Sequence, residues 1–153
     1  MSAELYSNWF INSVVVITTM FVVGTCVLVH YEGLLFSTRK LSHLPTPPRF
    51  KVVLVIACVL CLHVIEIWLF GLSQWLLLRH VPDVGAISND PHPHIFDVVY
   101  MSATTFSTVG YGDLAPRGPL RFLFGTEALT GFVMITWSAS FTYLEMERHW
   151  KRD

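Results

Sequence analysis

Three stretches of this chain are long and apolar enough to cross a bilayer, and that limits its fold more than any other feature. They run over about 10–31, 52–78 and 120–144. Each exceeds the roughly 20 helical residues that span a hydrocarbon core of about 30 Å. Hydrocarbon offers no partner for a bare N–H or C=O group, so such stretches are stable there as helices. The expected class is therefore an all-α membrane protein with three transmembrane helices. Composition agrees, with 53% hydrophobic and only 14% charged residues, against about 25% charged in soluble domains. A net charge of −1 gives no footing for nucleic acid.

The linkers differ in kind. Residues 36–51, "FSTRKLSHLPTPPRFK", are basic and proline-rich and read as a polar loop between two helices. After the second span, "RHVPDVGAISNDPHPH" is a turn-rich aqueous segment, and "IFDVVYMSATTF" is an apolar run too short to span. Arg39, Lys40, Arg49 and Lys51 in the loop and Arg148, Lys151 and Arg152 in the tail outnumber Arg79 and Arg117 in the 79–119 segment. The positive-inside rule then places loop and tail in the cytoplasm, with the N-terminus and the 79–119 segment external. The first residues, "MSAELYSNWF", lack the basic residue of a cleavable signal, so the first span is expected to be retained. Cys26, Cys58 and Cys61 lie in apolar runs and are expected to be small packed residues without a structural disulfide.

The short apolar run leads into "FSTVGYGD" (106–113), a glycine-broken loop expected to dip into the membrane from outside. Non-helical backbone at that depth persists only where protein buries it or where it lines a wet cavity. Gly110 and Gly112 accept positive φ without steric cost, so successive carbonyls can turn the same way. One such row cannot enclose an ion. Four copies around an axis form stacked oxygen rings that replace the hydration shell of a monovalent cation. The hydroxyl of Thr108 would add the innermost ring, and the helix before it would aim its C-terminal carbonyls at a central cavity.

The segment "TTFSTVGYGD" resembles the potassium-channel signature, and residues 52–145 are similar to the pore module of small prokaryotic two-transmembrane potassium channels. An extra N-terminal transmembrane helix (1–35) and a cytoplasmic loop (36–51) would precede that module. The resemblance implies an outer helix (52–78), an external turret (79–95), a pore helix (96–106), a filter (108–112), an inner helix (120–144) and a short cytoplasmic tail (146–153). It implies K+ held at Thr108, Val109, Gly110 and Tyr111, with Gly112 completing the filter. K+ would be a permeant ion, with no cofactor. Asp113 would shape the outer mouth, while the Tyr111 ring packs against pore helices. Thr104 stands where some relatives carry a glutamate that braces the filter, so Glu127 is the candidate support for Asp113, alongside Thr104 and Ser107.

His63 and Glu66 are three apart on one face of the second span, where ionisable groups are costly enough to be functional by default. They read as a hydrogen-bonded lock between helices, as a proton-sensing gate, or, with Cys61, as a metal site. Gly131 reads as an inner-helix hinge or a packing contact beside Gly125. Thr136 and Ser140 would line the cavity, with Trp137 and Phe141 turned to other chains or lipid. His80, His92, His94 and Asp90 read as solvated turret residues or a metal cluster. Trp9, Trp75 and Trp150 read as interfacial anchors. Polar residues of the first span, among them Thr19 and Thr25, would pack it against an outer helix. That span has no arginine ladder of the kind that senses voltage.

These readings converge on a potassium-selective channel in the cell membrane, not an enzyme, made of this chain and three identical subunits in contact with lipid. Two alternatives stay open, a non-conducting accessory subunit and a membrane metal or redox protein built on "CVLCLHVIE".

Overall fold

A computed structural model describes residues 8–42, 45–88 and 90–150. Its helices are α1 (Trp9–Ser42), α2 (Pro48–His80), α3 (Ile95–Phe106) and α4 (Arg121–Trp150), with a two-residue ribbon of β1 (Ala86–Ile87) and β2 (Pro116–Arg117). Three of them, α1, α2 and α4, are long and apolar enough to cross a membrane, while α3 is too short. Their outward faces stay greasy: Ile17, Phe21, Leu28 and Leu60 are each more than 60% exposed. An apolar face of that size has lipid or another chain as its partner.

The helices overrun the expected spans. In the 36–51 segment, helix α1 continues through Arg39 and Lys40 to Ser42, and α2 begins at Pro48. No proline or glycine interrupts 34–42, and Lys40 folds back over the Phe36 ring at 5.0 Å, so the basic run extends the helix instead of breaking it. Helix α2 starts where proline suits a first turn that has no hydrogen bond to lose.

Helices α2 and α4 hold α3 between them, and α1 lies against both long helices of the pore-like half. Phe70 of α2, Val98 and Phe106 of α3, and Leu120 and Leu123 of α4 are buried together with Val15, Val22 and Cys26 of α1. A smaller cluster of Leu34, Val59 and Leu62 fills the other end of the α1–α2 seam, where Phe141 also packs. The ribbon ties the loop after α2 to the loop before α4: Ala86 pairs with Arg117 and Ile87 with Pro116. The Ser88 amide adds a bond to the Ala115 carbonyl at 2.7 Å, and the Leu120 amide one to Val84 at 3.1 Å. His94 caps α3, its Nδ1 accepting from the Phe96 amide at 3.3 Å, and Asp97 supplies negative charge to the first turn.

Two glycines let α2 and α4 approach α3 closely. A Cβ on Gly71 would meet Val99 of α3 at 2.9 Å, and one on Gly131 would collide with the Phe106 carbonyl. Gly131 is thus a packing contact, pressed against the end of α3. Gly125, expected to share that role, has nothing within 4 Å in its own chain. Gly131→Ala is expected to cost about 1–3 kcal/mol by forcing α4 away from α3. Gly24→Ala, where the added carbon meets nothing within 4 Å, is expected to be neutral or slightly stabilising. Thermal melting of detergent-solubilised protein distinguishes the two.

Candidate functional site

Helix α3 ends in a loop whose backbone alternates in hand. Ser107 stays near helical as the C-cap, and its hydroxyl donates to the Ala103 carbonyl at 2.7 Å. Then Thr108, Gly110 and Gly112 have φ of 60°, 51° and 81°. Every second residue therefore turns left-handed, the alternation that points successive carbonyls one way. Space does not demand the two glycines, since an added Cβ would meet nothing within 4 Å; the backbone angle does. Thr108 is the less expected member. A β-branched residue in this region costs about 1–2 kcal/mol, and such strain concentrates at functional sites.

The loop is pinned from one side only. The Thr108 amide donates to the Thr105 carbonyl at 2.9 Å, and the Gly110 amide to the Thr104 carbonyl at 3.1 Å. Thr104 thus supports the loop through its backbone, while its hydroxyl turns back to the Met101 carbonyl at 3.0 Å. Among the described residues no hydrogen-bond donor reaches the carbonyls of Thr108 to Gly112. Residues 107–113 are all exposed, with the Tyr111 ring at 72% and Val109 at 55%. Among the described residues no side chain makes a ring contact with Tyr111.

Asp113 and Glu127 do not meet, contrary to the sequence reading. Asp113 accepts from the Tyr100 hydroxyl at 2.9 Å, one α3 side chain standing where Glu127 was expected. This bond holds the Tyr100 phenol above its ordinary pKa. Glu127 is instead buried behind α3. Its Oε1 takes a 2.5 Å bond from Ser102 of α3, and its Oε2 a 2.5 Å bond from Gln74 of α2. Ser102 also lies 2.9 Å from the Ile67 carbonyl, so one hydroxyl proton faces two acceptors. The carboxylate therefore ties three helices together at a distance from the filter-like loop. Sequence reasoning missed Gln74 and Ser102, although both are polar residues in apolar runs.

A second buried carboxylate, Glu66 on α2, does meet His63 at 2.9 Å, as its spacing suggested. Its other oxygen takes His30 of α1 at 2.7 Å, and His30 Nε2 lies 3.3 Å from the Ser138 hydroxyl of α4. Helix α1 is thereby bonded to the rest of the chain through polar groups. The rings also pack: His30 lies 5.6 Å from His63 and 5.1 Å from Trp137, while His63 is 5.8 Å from Phe106. Trp137 and Phe141, expected to face outward, cover α1 of their own chain. Cys61 is exposed and takes no part in the cluster of His30, His63 and Glu66.

The remaining candidates are dispersed. Thr136 and Ser140 are exposed, their hydroxyls donating to carbonyls one turn back on α4. Asp90 accepts from the His92 amide at 2.8 Å, as a turn residue does. Arg79 stacks over Trp75 at 5.2 Å, and Trp9 is 82% exposed, while the Trp150 side chain lies outside the described residues. His30→Ala leaves Glu66 with one partner instead of two, and is expected to cost about 1.5–3 kcal/mol. Ser138→Ala, which removes only a longer bond, should cost less than about 1.5 kcal/mol. Equal losses in the two variants, read from melting midpoints, would mean that the His30–Glu66 bond contributes nothing of its own.

Protein LctB of Bacillus caldotenax is 38% identical over 53 residues, which make up 35% of this chain and 40% of that protein. The match thus spans less than half the length of that relative. No solved structure matches the chain. The family described as "Ion channel" matches residues 52–145, which take in nearly all of α2, the turret, α3, the strained loop and most of α4. With three apolar helices long enough to span and a family match over more than half its length, the chain is a multi-pass membrane protein and belongs to the ion channel family.

Proposed function

We propose that four copies of this chain form a potassium-selective channel that passes K+ passively down its gradient, catalysing no reaction. The observation that carries this reading is the carbonyl row of Thr108 to Gly112, unpaired among the described residues, with left-handed backbone at alternate residues. Burying those oxygens without a partner costs several kcal/mol each. A dehydrated cation supplies that partner, and TVGYG loops of potassium channels are the established example of such rings. One row leaves most of an ion's surface uncovered, so several copies must meet around an axis, and four is the number that TVGYG loops use in potassium channels. The exposed Tyr111 and Val109 side chains support it, because both need a neighbouring chain to cover them.

In this reading Thr108, Val109, Gly110 and Tyr111 hold K+ and Gly112 completes the filter, while α1 is an extra N-terminal helix and α2, α3 and α4 are outer, pore and inner helices. Asp113, Ser107 and the Thr104 carbonyl support the filter, with Glu127 setting the pore helix from behind. Thr136 and Ser140 line the cavity below. Gly131 fixes the inner helix to the filter's base, and His63 with Glu66 is the place for a gating or proton-linked input. The excess of Lys and Arg in 36–51 and the tail favours a cytoplasmic C-terminus and an external N-terminus in the cell membrane.

Purified protein in a planar bilayer, with KCl on one side and NaCl on the other, tests the proposal. The reversal potential is expected to sit far toward the potassium equilibrium value. Gly110→Ala, strained at its positive φ, is expected to abolish the current. A reversal potential near zero contradicts selectivity, and silence of an intact tetramer favours the accessory-subunit reading. Tyr100→Phe, which frees Asp113, is expected to alter the open and closed dwell times at an unchanged melting temperature.

A further inference from the structure

The cluster of His30, His63 and Glu66 brings together more ligand atoms than a helix lock needs. One nitrogen from each imidazole and a carboxylate oxygen lie within 4.8 Å of one another, on residues that are 0%, 14% and 0% exposed at the side chain. From this we infer that the cluster is a binding site for a first-row divalent transition metal such as Zn2+, which pins α1 to the pore-forming half of the chain.

The donor set decides the class of metal. Two imidazoles and one carboxylate suit Zn2+ and its neighbours, and three protein ligands leave a fourth position for water. Ca2+ and Mg2+ require six or more oxygen donors or retained waters, which two imidazoles do not provide. Protons balance without loss. In the metal-free arrangement each Nδ1–H donates to Glu66, at 2.7 and 2.9 Å. On ligation each neutral ring moves its one proton to Nε2, freeing Nδ1 for the metal. For His30 that proton meets an acceptor already in place, Ser138 Oγ at 3.3 Å. An outer partner of this kind fixes the tautomer and orientation of a ligating imidazole. His63 and Ser138 also line a groove of about 380 Å³ between α2 and α4, so the cluster lies beside open space and not within a closed core.

Occupancy has a mechanical consequence. The His63 ring lies 5.8 Å from that of Phe106, the last residue of α3, whose carbonyl rests against Gly131. A metal bridging His30 and His63 therefore stiffens the point where α3 turns into the Thr108–Gly112 loop.

The test reads metal, not current, so it stands apart from the potassium reading. The full chain, purified in detergent and stripped with chelator, is titrated with Zn2+ against melting temperature and with Co2+ against visible absorption. One metal per chain, a rising melting midpoint and a four-coordinate Co2+ spectrum are expected. His30→Gln and His63→Gln should each abolish the spectrum. Ser138→Ala, which keeps all three ligands and the fold, should weaken affinity about tenfold. His80→Gln/His92→Gln in the turret should leave the spectrum unchanged. The inference is overturned by a wild type that gives no Co2+ spectrum, or by one that survives His30→Gln. Loss of the signal in the turret variant also overturns it. So does a cobalt–thiolate band, which would put Cys26, one turn from His30, among the ligands.

Discussion

Among the described residues the carbonyls from Thr108 to Gly112 receive no hydrogen bond, and in the proposed channel, at membrane depth, such groups must have a partner. The rest of the structure is organised around that deficit. Helix α3 is too short to span and serves to deliver the loop. The ribbon and the Leu120–Val84 bond hold the two ends of the turret together, so that α3 and α4 flank the loop at a fixed separation. The strain at Thr108 persists because Ser107, Thr105 and Thr104 determine the backbone on one side of it.

The helices are registered by polar contacts as well as by shape. Apolar side chains lose little by sliding past one another in lipid, since hydrocarbon outside is as welcoming as hydrocarbon inside. A buried carboxyl group is different, because moving it from its partners leaves costly unsatisfied polar oxygens. Glu127 joins α2, α3 and α4 through Gln74 and Ser102, and Glu66 joins α1 and α2 through His30 and His63. The first anchor fixes α3 against α2 and α4. The second sits between the two apolar clusters of the α1–α2 seam and reaches Phe106 through His63. The two anchors together give each long helix one register.

What could be read in the sequence follows from the range of each signal. Hydropathy is a local property, and it was enough for the three long apolar helices and the short one, α3. The glycine spacing likewise exposed the loop. The His63–Glu66 pair was legible because three residues separate its members on one face. Their third partner was not: His30 is 36 residues from Glu66, and a single histidine in an apolar run looks like any packed residue. The same holds for Gln74, which is 53 residues from Glu127. The choice of Glu127 as a partner for Asp113 failed for a related reason. Sequence places both near one end of the helix pair, but Tyr100 is closer to Asp113, and Ser102 turns Glu127 away. Helix α1 runs past its expected end because charge alone does not stop a helix that meets no proline or glycine after Gly33.

The central claim is that backbone oxygens of Thr108 to Gly112 become ion ligands when chains assemble. Its most direct measurement is a structure of the assembled protein in rubidium salt, with anomalous scattering used to locate the cation. The account predicts four chains around one axis, with rubidium peaks on that axis between the carbonyls of these residues and none in matched sodium salt. Assembly into dimers, or a tetramer whose loop carbonyls point away from an axis empty of rubidium, would contradict it.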